Sequence, residues 1–241
     1  MHALPAPLDV IAVGSHPDDV EVACGGTLAK LAATGRRVGI VDLTDGEPTP
    51  YSEGPEARMA EAEAAARVIG AVERIQLDLP NRRLFDCFEH RIELAKVFRR
   101  YRPRIVLGFG EKTPMASPDH FQTMLITDAA VFYSRLSKWD EYFDGLPLHK
   151  IERQLYFRLA IEPMTMPGNP FHVLVDITET VDQKVAAMEC YHSQFAHKNG
   201  MADRIRAAAR MTGSIAGVPA AEAFAAARPF VAKDLFAAVG L

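Results

Sequence analysis

Cysteine is scarce: 241 residues contain three, Cys24, Cys87 and Cys190, isolated and odd in number. That excludes a disulfide-stapled scaffold, offers neither zinc-ribbon nor redox spacing, and suits a reducing compartment. No run is apolar for long enough to cross a bilayer. The first ten residues lack a basic stretch leading into an apolar one, so no secretory signal is expected and a cytoplasmic protein is the default. Positive charge is not in excess either. Lys and Arg number 27 against 31 Asp and Glu, for a net charge of -4, which leaves no footprint for nucleic acid or an anionic membrane. Arg99, Arg100, Arg102 and Arg104 do cluster. They flank a predicted helix end, where a solvated face complementing the helix dipole is expected.

What the sequence does contain is apolar material, 49% of it, enough for a sizeable core in one domain spanning 1–241. Strand-like runs alternate with helical patterns. Leu8–Gly14, Arg37–Leu43, Arg74–Leu77 and Arg104–Phe109 read as strands. Helices are expected at 19–34, at Gly54–Ile69 with a stop at Gly70, at Phe88–Tyr101 and at Asp119–Leu136. This βα alternation predicts an α/β fold, a mostly parallel sheet with helices on both faces. Further on, Arg153–Leu159 and His172–Ile177 read as strands around the Pro- and Gly-rich stretch Glu162–Pro170. Glu179–Tyr191 and 201–210 read as helical, and 220–227 as a short helix stopped by Pro229.

The first strand runs into Gly14-Ser15-His16-Pro17-Asp18-Asp19-Val20-Glu21. Ligand sites in open α/β sheets lie outside the carboxyl ends of strands, where this turn falls. It carries neither G-x-G-x-x-G nor a P-loop, so it is not built for phosphates, which argues against a nucleotide-using Rossmann enzyme. Pro17 and the acidic residues also suit a plain helix start. His16, however, is a poor cap beside Ser, Asp or Asn. A catalytic zinc needs three protein ligands and one open position, commonly His with a carboxylate. His16 and Asp19 supply two, leaving Asp18 beside them as a base. The fourth strand leads into Ser117-Pro118-Asp119-His120, a second polar turn opening a helix, and makes His120 the best third ligand. Asp119 is placed to hydrogen-bond a ligand or a catalytic group. Arg58 sits on an Ala/Glu-rich helix, where pairing at the surface is the plain expectation. Asn81 and Arg82 follow Pro80 in a loop after a strand, a better position for contacting a ligand.

These motifs together resemble the PIG-L/LmbE-like zinc-dependent N-deacetylases, most of all those acting on N-acetylglucosaminyl malate in bacillithiol synthesis. The resemblance runs on through Thr44-Asp45-Gly46-Glu47, Arg58 with Glu61, Asp78-Leu79-Pro80-Asn81-Arg82, Tyr191-His192-Ser193-Gln194-Phe195 and Ala221-Glu222-Ala223-Phe224. It implies a Rossmann-like fold, one Zn2+ per chain, an amino-sugar substrate and assembly into trimers or hexamers. It carries over His16, Asp19 and His120 as metal ligands and Asp18 as general base. Arg58, Asn81, Arg82, Ser117, Asp119 and Gln194 fall on the substrate side. One departure stands out: the family usually has His where this chain has Ser117. A serine has no cationic form, so the resemblance leaves metal binding intact and takes away an acid. A sugar- or metal-binding relative with little or no turnover is the alternative.

Overall fold

The computed structural model describes residues 4–159 and 173–231. Seven strands form one sheet in the order β3-β2-β1-β4-β5-β7-β6. They are β1 (Val10–Gly14), β2 (Val38–Asp42), β3 (Glu73–Gln76), β4 (Ile105–Phe109), β5 (Arg153–Phe157), β6 (Val173–Asp176) and β7 (Ala221–Ala226). The first five pair in parallel. β7 runs antiparallel to both β5 and β6. β1 and β2 are buried along their whole length, which explains their unbroken apolar runs: helices cover both faces.

One face packs on α1 (Asp19–Ala33), α2 (Pro55–Ile69), α5 (Val181–Glu189) and α7 (Met201–Ala216). The other packs on α3 (Phe88–Tyr101) and α4 (Asp119–Tyr133). The short α6 (His192–Phe195) follows α5. α2 shows how the sequence sets an element: Pro55 opens its first turn and Gly70 closes it in the left-handed region. From β1 the chain moves outward through β2 and β3, then returns to place β4 on the other side of β1. The order of travel reverses between β1 and β4, so a crevice opens at their carboxyl ends.

Two expectations are corrected. Residues 221–226 form a strand, not a short helix. Their alanines favour helix locally, but the segment fills the gap between β5 and β6 and satisfies both ladders. Arg99 is not on a solvated face. It is 1% exposed and donates to the carbonyls of Ser134 (3.0 Å), Leu146 (3.1 Å) and Leu136 (2.5 Å), closing the chain after α4. The stretch Glu162–Pro170 and the start of the strand expected from His172 lie outside the described residues. Among the described residues no helix is long and apolar enough to cross a membrane.

Candidate active site

The turn after β1 is fixed by its neighbours. The amide and hydroxyl of Thr44 both donate to Ser15 O at 2.9 Å, and Ser15 Oγ shares a hydrogen bond with Thr123 Oγ1 at 2.7 Å. Asp19, the first residue of α1, folds its carboxylate back, so that Oδ2 accepts from the amides of Ser15 (2.9 Å) and His16 (3.0 Å). Asp18 between them is forced to φ 117°. For a residue with a side chain such a conformation costs roughly 1–3 kcal/mol and collects at working sites. Gly46, at φ 74°, passes over this turn where a Cβ would lie 3.2 Å from Pro17 Cδ.

β4 and the loop after it bring the second set of groups. His120 lies flat on Phe109, centroids 4.7 Å apart. Its Nδ1 is 2.8 Å from Thr113 Oγ1, which leaves Nε2 facing Asp19 Oδ1 at 3.3 Å. His16 meets Asp119 Oδ2 through Nε2 at 3.3 Å and turns Nδ1 toward Asp19 Oδ2 at 3.4 Å. Asp119 is itself fixed by the amide of Arg82, 2.7 Å away. The candidate donor atoms of His16, Asp19 and His120 all lie within 4.8 Å of one another. Two imidazoles and a carboxylate suit a divalent cation with an open coordination position, and the carboxylate behind His16 is the usual outer support of such a ligand.

Electrostatics agree with a site that attracts positive charge. Burial works against an imidazolium at His16, but the hydrogen bonds to Asp119 and Asp19 outweigh it and push the ring up to about 10. A proton there does part of what a metal would do. Burial also opposes ionisation of Asp19, yet the adjoining His120 and His16 hold that carboxyl well below the usual range. Asp18 behaves differently: burial pushes it up to about 7, against the opposing pull of Arg58.

Arg58 is 2% exposed, so the surface-pairing expectation for it is corrected. Nη2 contacts Asp18 Oδ2 at 3.1 Å and donates to Pro17 O. Nη1 donates to Ser193 Oγ at 3.3 Å, while Glu61 fixes Ser193 through amide and hydroxyl. Nε has no partner.

A cleft of about 280 Å³ opens over these groups. Nine of the ten residues picked from the sequence line it: His16, Asp18, Asp19, Arg58, Asn81, Arg82, Ser117, His120 and Gln194. Asp119 stands behind His16. Asn81 donates to Glu47 O and keeps a buried Oδ1 without a partner among the described residues. Gln194 donates to Thr49 Oγ1 at 2.8 Å. Ser117 Oγ accepts from the amide of Asp119 at 3.3 Å. Sequence reasoning missed Thr113, and it missed the buried group under α1, in which Arg74 binds Asp42 through two nitrogens and Glu21 through a third, with Tyr191 Oη on Glu21. The signal for Asp42 was a charge closing an apolar strand. Arg74, in a four-residue polar strand, gave none.

Residues 11–131 match the PIG-L family, described as GlcNAc-PI de-N-acetylase. That is half of the chain, and the protein belongs to this family of amide-hydrolysing deacetylases. The crystal structure of the conserved protein TT1542 from Thermus thermophilus is 34% identical with a TM-score of 0.81, over 93% of this chain and 97% of that one. The diacetylchitobiose deacetylase of Thermococcus kodakarensis is 29% identical over 196 residues, 77% of this chain and 70% of its own. GalB, the 4-carboxy-2-hydroxymuconate hydratase from Pseudomonas putida, has a TM-score of 0.79 at 22% identity over 95% of this chain and 99% of that one. That last likeness is one of fold alone.

Proposed function

We propose that the protein removes the N-acetyl group from an N-acetylglucosamine conjugate, N-acetylglucosaminyl malate being one candidate. In this reading it holds one divalent metal, zinc as prepared, on His16, Asp19 and His120. The observation that carries this is the convergence of those three donors at one cleft beside a fourth group, Asp18, that none of them needs. The metal supplies Lewis acidity toward an amide carbonyl and makes water easier to deprotonate.

The chain's own residues do the rest. Asp18, in its constrained conformation and with a carboxyl near neutrality, takes a proton from the attacking water and returns it to the departing amine. Arg58 keeps that carboxylate aimed and ionisable. Asp119 and Thr113 hold the two imidazoles in the orientation that leaves one nitrogen of each toward Asp19. The bare Oδ1 of Asn81 accepts from a sugar hydroxyl, and the side chain of Arg82 reaches the part of the substrate beyond the sugar. Ser117 offers a neutral hydrogen bond where an imidazolium would be stronger.

A second reading, a sugar- and metal-binding protein with little turnover, is favoured by Ser117 alone. One experiment separates the two: metal content together with release of free amine from N-acetylglucosamine, diacetylchitobiose and N-acetylglucosaminyl malate. Stoichiometric zinc with turnover on at least one conjugate is expected. Zinc and sugar binding with no amine released would favour the second reading, and absence of zinc would defeat both.

A further inference from the structure

α1 is not continuous. Cys24, at φ -137° and ψ 20°, breaks it. The piece before the break carries Asp19 and Glu21, and Val22 on the wall of the cleft. The piece after it is an ordinary helix packed in the core. A break of this kind strands backbone groups, carbonyls at the end of one piece and N–H groups at the start of the next. These are buried here, and leaving them unpaired would be costly.

Side chains from distant parts of the sequence bond backbone groups on both sides of the break. Glu222 on β7 accepts from the amides of Gly26 (3.1 Å) and Thr27 (2.7 Å) with its two oxygens. Lys184 on α5 donates to Ala23 O at 3.1 Å and to Glu222 Oε1 at 2.5 Å. Thr180 Oγ1 donates to Gly26 O at 2.8 Å. Lys184 and Glu222 are 1% and 5% exposed, and neither lines the cleft over the metal ligands. Each is the other's counter-charge, so removing one leaves an uncompensated buried ion. Gly26 admits them: a Cβ there would sit 2.8 Å from Ile177 Cδ1 and 3.2 Å from Glu222 Oε1.

We infer that Lys184 and Glu222 are positioning residues, which hold the break in α1 and thereby fix the short first piece that presents Asp19 to the metal, with Asp18 at its start. The inference rests on the metal site of the preceding subsection. The pair reaches the site through one turn of helix. The break sets the direction of the first piece, and with it the place of Asp19 opposite His120. The buried pair therefore serves a geometric purpose for which an apolar pair, unable to bond the stranded amides, is no substitute.

The test compares the full-length protein with Glu222→Gln and Lys184→Met, and with Ile205→Ala, a core truncation on α7. Each is stripped of metal and titrated with Zn2+ against a chromogenic chelator. Melting of the metal-free forms is recorded alongside, with kcat and KM of the loaded ones. Both break variants are expected to bind zinc roughly 10-fold or more weakly, as supports of metal ligands generally do, and to lose kcat more than KM. Ile205→Ala is expected to melt lower with zinc affinity unchanged. Wild-type zinc affinity in the break variants, with lowered melting only, overturns the inference. If either fails to fold, Gly26→Ala keeps both charges, displaces the break and is expected to weaken zinc in the same way. Wild-type protein that takes up no zinc overturns the metal reading itself and the inference with it, a result visible before any variant is made.

Discussion

Arg99 on α3 and Arg58 on α2 are both almost inaccessible, and they face opposite company. Arg99 gives its N–H groups to three carbonyls in the chain after α4 and lies over the Phe143 ring at 3.4 Å. Each of its three nitrogens donates to a neutral, permanent partner, so its job is to close a connection. Arg58 gives its N–H groups to a carboxylate, a hydroxyl and one carbonyl, and leaves Nε bare beside a cleft. Its main partner, Asp18, titrates near neutrality and sits in a strained conformation. An arginine buried on carbonyls is part of the scaffold. An arginine buried on a strained carboxylate at a sheet's carboxyl edge is, in the proposed reading, part of the chemistry. Sequence gives both the same appearance, a basic residue on a helix.

The sharpest way to break this contrast is to remove the carboxylate. Asp18→Asn is expected to lower kcat by roughly 10²–10⁴-fold, the usual worth of a general base, while zinc content measured by elemental analysis stays at one per chain. Metal loss in that variant, or near-normal turnover, would make Asp18 a ligand or a bystander.

Arg58→Met comes next. Breaking a buried pair by deleting one partner costs about 3–5 kcal/mol in stability, and kcat should fall with it. The pH profile is the more telling readout. Arg58 opposes the upward push of burial on Asp18, so removing it raises that carboxyl further. A base must be deprotonated to act, so the acid limb of kcat should move to higher pH and activity should partly return there. An unmoved limb would return Arg58 to the substrate-contact role that the resemblance assigns it, in which case KM should be what rises.

Ser117→His is expected to raise kcat on an N-acetylglucosamine conjugate, by about 10-fold or more if an imidazolium acid is restored, with metal content unchanged. A slower variant would mean that the cleft is built around serine.

Arg99→Met should change turnover per folded molecule least of all. It strands three carbonyls, each worth about 1–3 kcal/mol if left dry, so thermal melting should drop clearly. Loss of kcat in molecules that remain folded would erase the distinction between the two arginines.

Much of this was legible in the sequence because it depends on neighbours in the chain. The alternation of apolar runs with helical patterns specifies parallel strands and covering helices, and Pro55 with Gly70 bounds α2 within one segment. His16, Asp18, Asp19 and His120 could be gathered from two turns because strand ends in this class of sheet share an edge. Three features depended instead on partners far along the chain or on how the sheet closes. The alanines of 221–226 became a strand because two ladders were waiting for one. Arg99 went inside because the chain after α4 needed donors for its carbonyls. Lys184 and Glu222 met in the core because α5 and β7 bring them to the break in α1 at Cys24, where amides and a carbonyl face them. Local sequence sets propensity and pattern at short range. The demand that every buried polar group find a partner is met only in the folded chain, by whichever side chain the topology brings there.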